Sequence, residues 1–296
     1  MPQQADSPWI AAFPAIFVVL WATGFIGGKL GTPHAEPATF LTLRFGIVVV
    51  ILTLIAVAMR APWPKREALL PLAVGGVLIH AGYLGFLFYG MKSGVEAGAS
   101  AMIAGLQPLL TAAVAGPFLG EKVTVRQWGG LLLGFAGVAL VAESKLAQGL
   151  GTPLGMVFAF IGMVCLTAGT LWQKRHGGQM DLRTGSAVQF AAATAACAPV
   201  AIFHEGFRHE WTGEFIVAMA WLVLVLSVGT IFVLFTLIRR GAASKVASLF
   251  FLVPPTTALI AWFVFGEKLG PTAFAGMVLI VIAVAMVTMA PKREEG

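Results

Sequence analysis

The sequence predicts an all-α membrane protein, with ten transmembrane helices forming two inverted five-helix repeats around a central cavity. Three observations predict it. The first is composition: of 296 residues, 58% are hydrophobic and 11% charged, and the mean hydropathy is +0.90. Soluble domains carry roughly 25% charged residues, so this chain lacks the polar surface that a water-soluble enzyme or a free nucleic-acid binder needs. The second is a series of ten apolar stretches. The third is a recurrence, in which Gly120-Glu121-Lys122 returns as Gly266-Glu267-Lys268 at an offset of 146.

A helix needs about 20 apolar residues to cross hydrocarbon, which offers no partner to backbone N–H and C=O groups. In chain order the stretches are 9–30, 38–59, 68–90, 95–117, 126–142, 153–175, 184–203, 214–238, 243–265 and 271–289. The residues before the first, Met1 to Pro8, carry no basic side chain, so that stretch is expected to stay as a span and not to be cleaved as a signal peptide. Connections are short, as in Arg60 to Glu67 and Gly266 to Gly270, and leave no room for a soluble domain. Cys165 and Cys197 lie inside apolar stretches without CxxC spacing and read as small packing residues.

Basic residues give the direction. Alternate loops hold Arg60, Lys65, Arg66, Lys122, Arg126, Lys174, Arg175, Arg183, Arg239, Arg240 and Lys245, with Lys292 and Arg293 after the last span. The opposite loops hold Lys92, Lys145, Arg208 and Lys268, with Lys29 ending the first span. The positive-inside rule then predicts an inner or plasma membrane protein with both termini cytoplasmic. The net charge of +6 is explained by topology and anionic headgroups, and needs no nucleic acid.

The recurrence extends beyond the tripeptide. At the same offset Pro108 meets Pro254 and Thr111-Ala112 meets Thr257-Ala258; at 145, Lys29 meets Lys174 and Arg44-Phe45 meets Gln189-Phe190. The expected units are 9–143 and 150–290, five spans each. Because five is odd, the units enter the membrane from opposite sides, an arrangement that gives transporters two mirrored states around a midplane site. Leu20-Trp21-Ala22-Thr23-Gly24-Phe25 with Lys29, Pro37 followed by Leu43-Arg44-Phe45, and the paired Pro-x₁₁-Gly-Glu-Lys segments together resemble EamA-type members of the drug/metabolite transporter superfamily. Within it the chain is most similar to the YddG amino-acid exporters. The resemblance spans nearly the whole chain and implies ten helices, a central cavity and export of small metabolites.

Missing charges narrow the chemistry. Every carboxylate falls in a loop, a tail or at a span edge, so no span carries an ion or proton relay of the usual acidic kind. No Lys or Arg lies at the middle of a span to hold a phosphate. Arg44, about six residues inside the second span, is expected to snorkel outward or to pair with Glu36 or Glu143 as a structural anchor. An uncharged chamber suits a neutral or zwitterionic solute held by hydrogen bonds, half-helix dipoles and aromatic faces.

Candidate contacts follow from position. His80, Tyr83 and Leu87 share a helical face, and Ser227 and Thr230 occupy the corresponding places in the eighth span. His80 reads equally as a core histidine; Tyr83 is one of only two tyrosines and its hydroxyl needs a partner. Gln107, next to Pro108, reaches either a freed carbonyl, a solute carboxylate or a neighbouring helix. Pro108 and Pro254-Pro255 break backbone bonding at matching places, which predicts that the fourth and ninth spans line the cavity. Trp21 offers a stacking wall, Thr170 and Trp172 a gate or an interfacial belt, and Phe25 and Phe251 either packing or contact. The Gly-Glu-Lys turns read as caps or loop ion pairs. Gly24-x-x-x-Gly28-Lys29 lacks the spacing of a phosphate loop and reads as a helix-packing face.

The expected activity is secondary export of small neutral or zwitterionic metabolites, amino acids including large apolar ones first, by alternating access. The alternatives are nucleobases or lipophilic drugs on the same fold, or a channel or lipid scramblase. No enzyme motif, cofactor or metal cluster is implied. The expected partners are a small-molecule solute and the lipid bilayer, and the oligomeric state is left open, with a monomer sufficient.

Overall fold

The computed structural model describes residues 13–119, 124–147, 151–176, 181–229, 252–267 and 270–288. These residues run through ten helical passes, and no strand forms among them beyond a single bridge between Ala35 and His209. The first three are Phe13–Gly31, Pro37–Ala58 and Arg66–Lys92. The fourth is broken into Ala97–Ala104 and Gln107–Leu119, and the fifth is Val125–Ala147. Pro153–His176, Leu182–His204 and Gly213–Gly229 form the sixth to eighth. Val253–Phe265 and Pro271–Thr288 are the ninth and tenth. Four of these, the second, third, sixth and seventh, are long and apolar enough by themselves to cross a membrane, and the others are shorter apolar helices.

Local sequence explains the ends. Pro37, Pro153 and Pro271 each open a helix, where a fixed φ helps and the missing N–H costs nothing. Asp181 and Thr212 cap the seventh and eighth helices by accepting from the backbone N–H of Arg183 and Phe215. The ninth ends on Gly266 at φ 67°, a left-handed cap that glycine adopts without strain.

Packing puts apolar surface outside as well as inside. Phe263 is 84% exposed and Leu54 64% exposed, as expected of faces that meet lipid in place of water. The tenth helix lies along the fifth, the seventh along the second, and the sixth along the third. The fifth and tenth touch through Gly137 and Gly276, where an added Cβ would overlap the opposing backbone. Loops 31–37, 92–97 and 204–213 and the turn at 265–267 meet at one end, which bears the carboxylates Glu36, Glu96, Glu205 and Glu267. The loop after the second helix meets the first turn of the seventh at the other, basic end, where Thr184 donates to the Pro62 carbonyl.

Four spans differ from their sequence reading. Hydropathy predicts one continuous fourth span, but the helix stops at Ala104 and restarts at Gln107. Gly105 sits against Pro254, so the two proline breaks meet each other. π-Helical turns interrupt the third helix over Val77–Gly82 and the eighth over Trp221–Gly229, places that match under the 146-residue offset, and a further one ends the seventh over Val200–His204. Such turns cluster at functional positions because they free backbone groups and re-aim side chains.

Candidate functional site

Between the first, second, third, sixth, seventh and eighth helices lies a cavity of about 340 Å³, at the small end of the range for metabolite sites. No described residue of the fourth, fifth, ninth or tenth helices lines it, so the prolines do not line the cavity as their placement predicted. Pro254 packs against Gly105 at the break of the fourth helix instead.

The π-turn of the third helix delivers His80 to the wall, and Tyr83 and Leu87 follow on the same face. His80 stacks on Phe190 at 4.1 Å between centroids, with Phe45 behind it. Opposite, the π-turn of the eighth helix delivers Ser227. Trp21 and Phe25 come from the first helix. Gly76 brings the third helix against the seventh so closely that a Cβ would overlap the Gln189 backbone.

Arg44 corrects the picture of an uncharged chamber. It is 4% exposed, it lines the cavity, and its Nη2 donates to Ser227 Oγ at 3.2 Å. It neither snorkels outward nor pairs with Glu36 or Glu143. Glu36 is paired with Lys92 at 3.4 Å, and Glu143 is exposed. Gln189 lies beside His80, and Tyr83 is within electrostatic reach of Arg44. Two buried donors of this wall, Arg44 Nε and Gln189 Nε2, meet no acceptor among the described residues.

Three other candidates lie outside the lining. Gln107 donates to Thr111 at 3.0 Å and to Thr170 at 3.3 Å, so it serves as a helix–helix bond. Trp172 donates to the Pro71 carbonyl at 3.0 Å and packs on His176. Thr230 and Phe251, like Glu121, lie outside the described residues.

The two ends of the cavity differ. Gln173, Leu182 and Ser186 carry the lining to the basic end. Toward the other end Phe88 packs on Phe40 at 5.4 Å and Phe40 on Phe215 at 5.1 Å. Above this plug Glu205 accepts from the backbone N–H of Ala38 at 2.9 Å and Thr39 at 2.7 Å, from the Thr39 hydroxyl at 2.8 Å, and from the Tyr89 hydroxyl. Glu267, from the second Gly-Glu-Lys turn, accepts from Ala97 and Gly98 N–H at 3.0 and 3.2 Å and faces Lys29 at 3.9 Å. That turn is a cap, as its place after a helix predicted. Glu205 was missed by sequence reasoning, which saw only a loop glutamate.

Comparison with known proteins decides the family. The sequence pattern of the EamA-like transporter family matches residues 8–142 and again 153–289. This chain belongs to the EamA-like transporter family. It is similar to the "Uncharacterized transporter YvbV" of Bacillus subtilis (strain 168), with 28% identity over 95% of this chain and 92% of that protein. It is also similar to a "Probable amino-acid metabolite efflux pump" of Salmonella typhimurium, with 24% identity and 90% of each chain covered. A solved structure described only as a crystal structure of a protein superposes with a TM-score of 0.66 at 20% identity, covering 98% of this chain and all of that one. That likeness concerns the fold alone. As an EamA-like transporter the chain is a multi-pass membrane protein whose solute is a small molecule.

Proposed function

We propose that this EamA-like transporter is a secondary exporter of small neutral or zwitterionic metabolites, amino acids first, working by alternating access across two inverted five-helix units, 9–143 and 150–290. The observation that carries the reading is the cavity itself: its lining reaches the basic end, while an aromatic plug and a Glu205 clasp close the other. With the basic end and both termini cytoplasmic, this is the arrangement of a carrier waiting to load from inside. The six lining helices are three matched pairs under the offset, first with sixth, second with seventh and third with eighth, which supports a two-fold scaffold around one site. Trp21, Phe25, His80, Tyr83 and Ser227 are the proposed solute contacts. The relative named as an amino-acid metabolite efflux pump supports the solute class.

Proteoliposomes preloaded with radiolabelled large apolar amino acids test it. Release should saturate, exceed that of empty liposomes and fall at least tenfold in Tyr83→Ala and Trp21→Ala at equal reconstitution. Release no faster than leak across an amino-acid panel overturns the amino-acid reading. The mostly aromatic and aliphatic lining also favours a second reading, nucleobases or lipophilic drugs, which the same assay with those solutes separates. A channel or scramblase would dissipate gradients without saturation.

A further inference from the structure

We propose that Arg44, with Gln189, forms a carboxylate seat in the cavity wall, so that the solute is recognised by its acid group and not by its ammonium. This rests on the reading of the cavity as the solute site. Three observations carry it. The guanidinium is buried, and no Asp or Glu is among the residues lining its cavity. A buried charge without a counter-ion is costly, and three carboxylates of the described residues are committed elsewhere: Glu36 to Lys92, Glu205 to the second helix and Tyr89, and Glu267 to the fourth helix and Lys29. The buried, unpartnered atoms of this wall have one sign. Arg44 Nη2 is held by Ser227, which fixes the plane of the fork, while Arg44 Nε and Gln189 Nε2 are donors without acceptors among the described residues.

Two directed donors beside a fixed positive charge match a carboxylate, which only accepts. A solute ammonium finds no anionic partner in this lining, only aromatic faces, hydroxyls and the neutral side chains of Gln173, Gln189 and His80. The cavity is therefore complementary to one end of an amino acid, and an acid lacking the amine fits as well as the amino acid does.

The test uses the purified full-length protein in detergent and the thermal stabilisation produced by three probes of one size. These are L-phenylalanine, 3-phenylpropanoate, which lacks the amine, and phenethylamine, which lacks the acid. The two acids are expected to stabilise the protein at comparable concentrations, and the amine at ten- to a hundredfold higher ones, the range of a charge-assisted hydrogen bond. Arg44→Gln should abolish the preference for the acids and Gln189→Leu should weaken it. Arg44→Lys should keep part of it, because it preserves the charge and loses the fork. The wild-type probe series stands even if a variant fails to fold. Stabilisation by phenethylamine equal to that by the acids, or an unchanged preference in folded Arg44→Gln, overturns the seat while leaving the cavity as a solute site. No stabilisation by any probe overturns the seat together with the amino-acid reading on which it rests.

Discussion

At the carboxylate-bearing end, charged side chains from late in the sequence complete helices from early in it. Glu205 accepts the first free N–H groups of the second helix, and Glu267 those of the first half of the fourth. Each places an anion at a helix N-terminus, where unsatisfied donors and the helix dipole favour it. At the basic end the described long-range bonds include two neutral ones, Trp172 to the Pro71 carbonyl and Thr184 to the Pro62 carbonyl at 2.7 Å, and one from the Arg183 guanidinium to the Met59 thioether at 3.4 Å. An ion pair there, Arg183 with Asp181, links residues two apart. Charge-assisted bonds are roughly twice as strong as neutral ones. The two ends are therefore held differently: buried carboxylates on helix N-termini lie over the aromatic plug, while carbonyls and a thioether accept at the basic end.

The comparison breaks most decisively at Glu205. Glu205→Ala would leave two backbone N–H groups and two hydroxyls without their buried acceptor, a loss on the order of 3 kcal/mol. A large fall in the detergent melting temperature is expected, with faster labelling of a cysteine placed at Phe88. A melting temperature within a degree or two of wild type would mean that the clasp does not hold this end.

The matching change at the basic end should be milder. Trp172→Phe keeps the packing on His176 and removes one neutral bond to the Pro71 carbonyl, worth about 1 kcal/mol. Its melting temperature should fall less than that of Glu205→Ala, and amino-acid release should be retained, because Trp172 lies outside the lining. Equal losses in the two variants would erase the distinction between the ends.

Most of the fold was legible because hydrocarbon imposes it. The second span was read as 38–59 and the helix is Pro37–Ala58. The break at Gly105 was not, since a split helix and a whole one have the same apolar content; Gly105 and Pro108 were the local signals. Spacing placed His80, Tyr83 and Ser227 on matching faces, and all three line the cavity. Arg44 was misread because its partner is a tertiary matter: the nearby Glu36 is taken by Lys92, which sequence order does not reveal. Yet the repeat already paired Arg44-Phe45 with Gln189-Phe190, and those four residues lie on facing helices, Phe45 against Phe190 at 5.5 Å. Matched polar residues in matched spans were the available signal for the wall. Gln107 and Thr170 answer the same demand for partners by bonding each other, which the sequence could not distinguish from solute contact.

The smallest effect separates the two glutamates of the carboxylate-bearing end. Burial, and then the neighbouring Glu96, raise the carboxyl of Glu267 above its ordinary value of 4.5, against the opposing pull of the Gly98 and Ala97 N–H groups and Lys29. A carboxyl that is more basic folded than unfolded takes up its proton preferentially in the folded state, so its contribution to stability is greatest at low pH. That contribution falls as pH rises from the ordinary carboxyl value through the raised one. Glu267→Gln holds the side chain uncharged at every pH and keeps an oxygen for one of the two N–H groups. Its melting temperature relative to wild type should therefore rise as pH is raised through that window and level off above it. The reverse slope would mean that Lys29 and the two N–H groups outweigh burial. Glu267 would then join Glu205 as a net electrostatic clasp, and the carboxylate-bearing end would be stronger than burial at Glu267 allows.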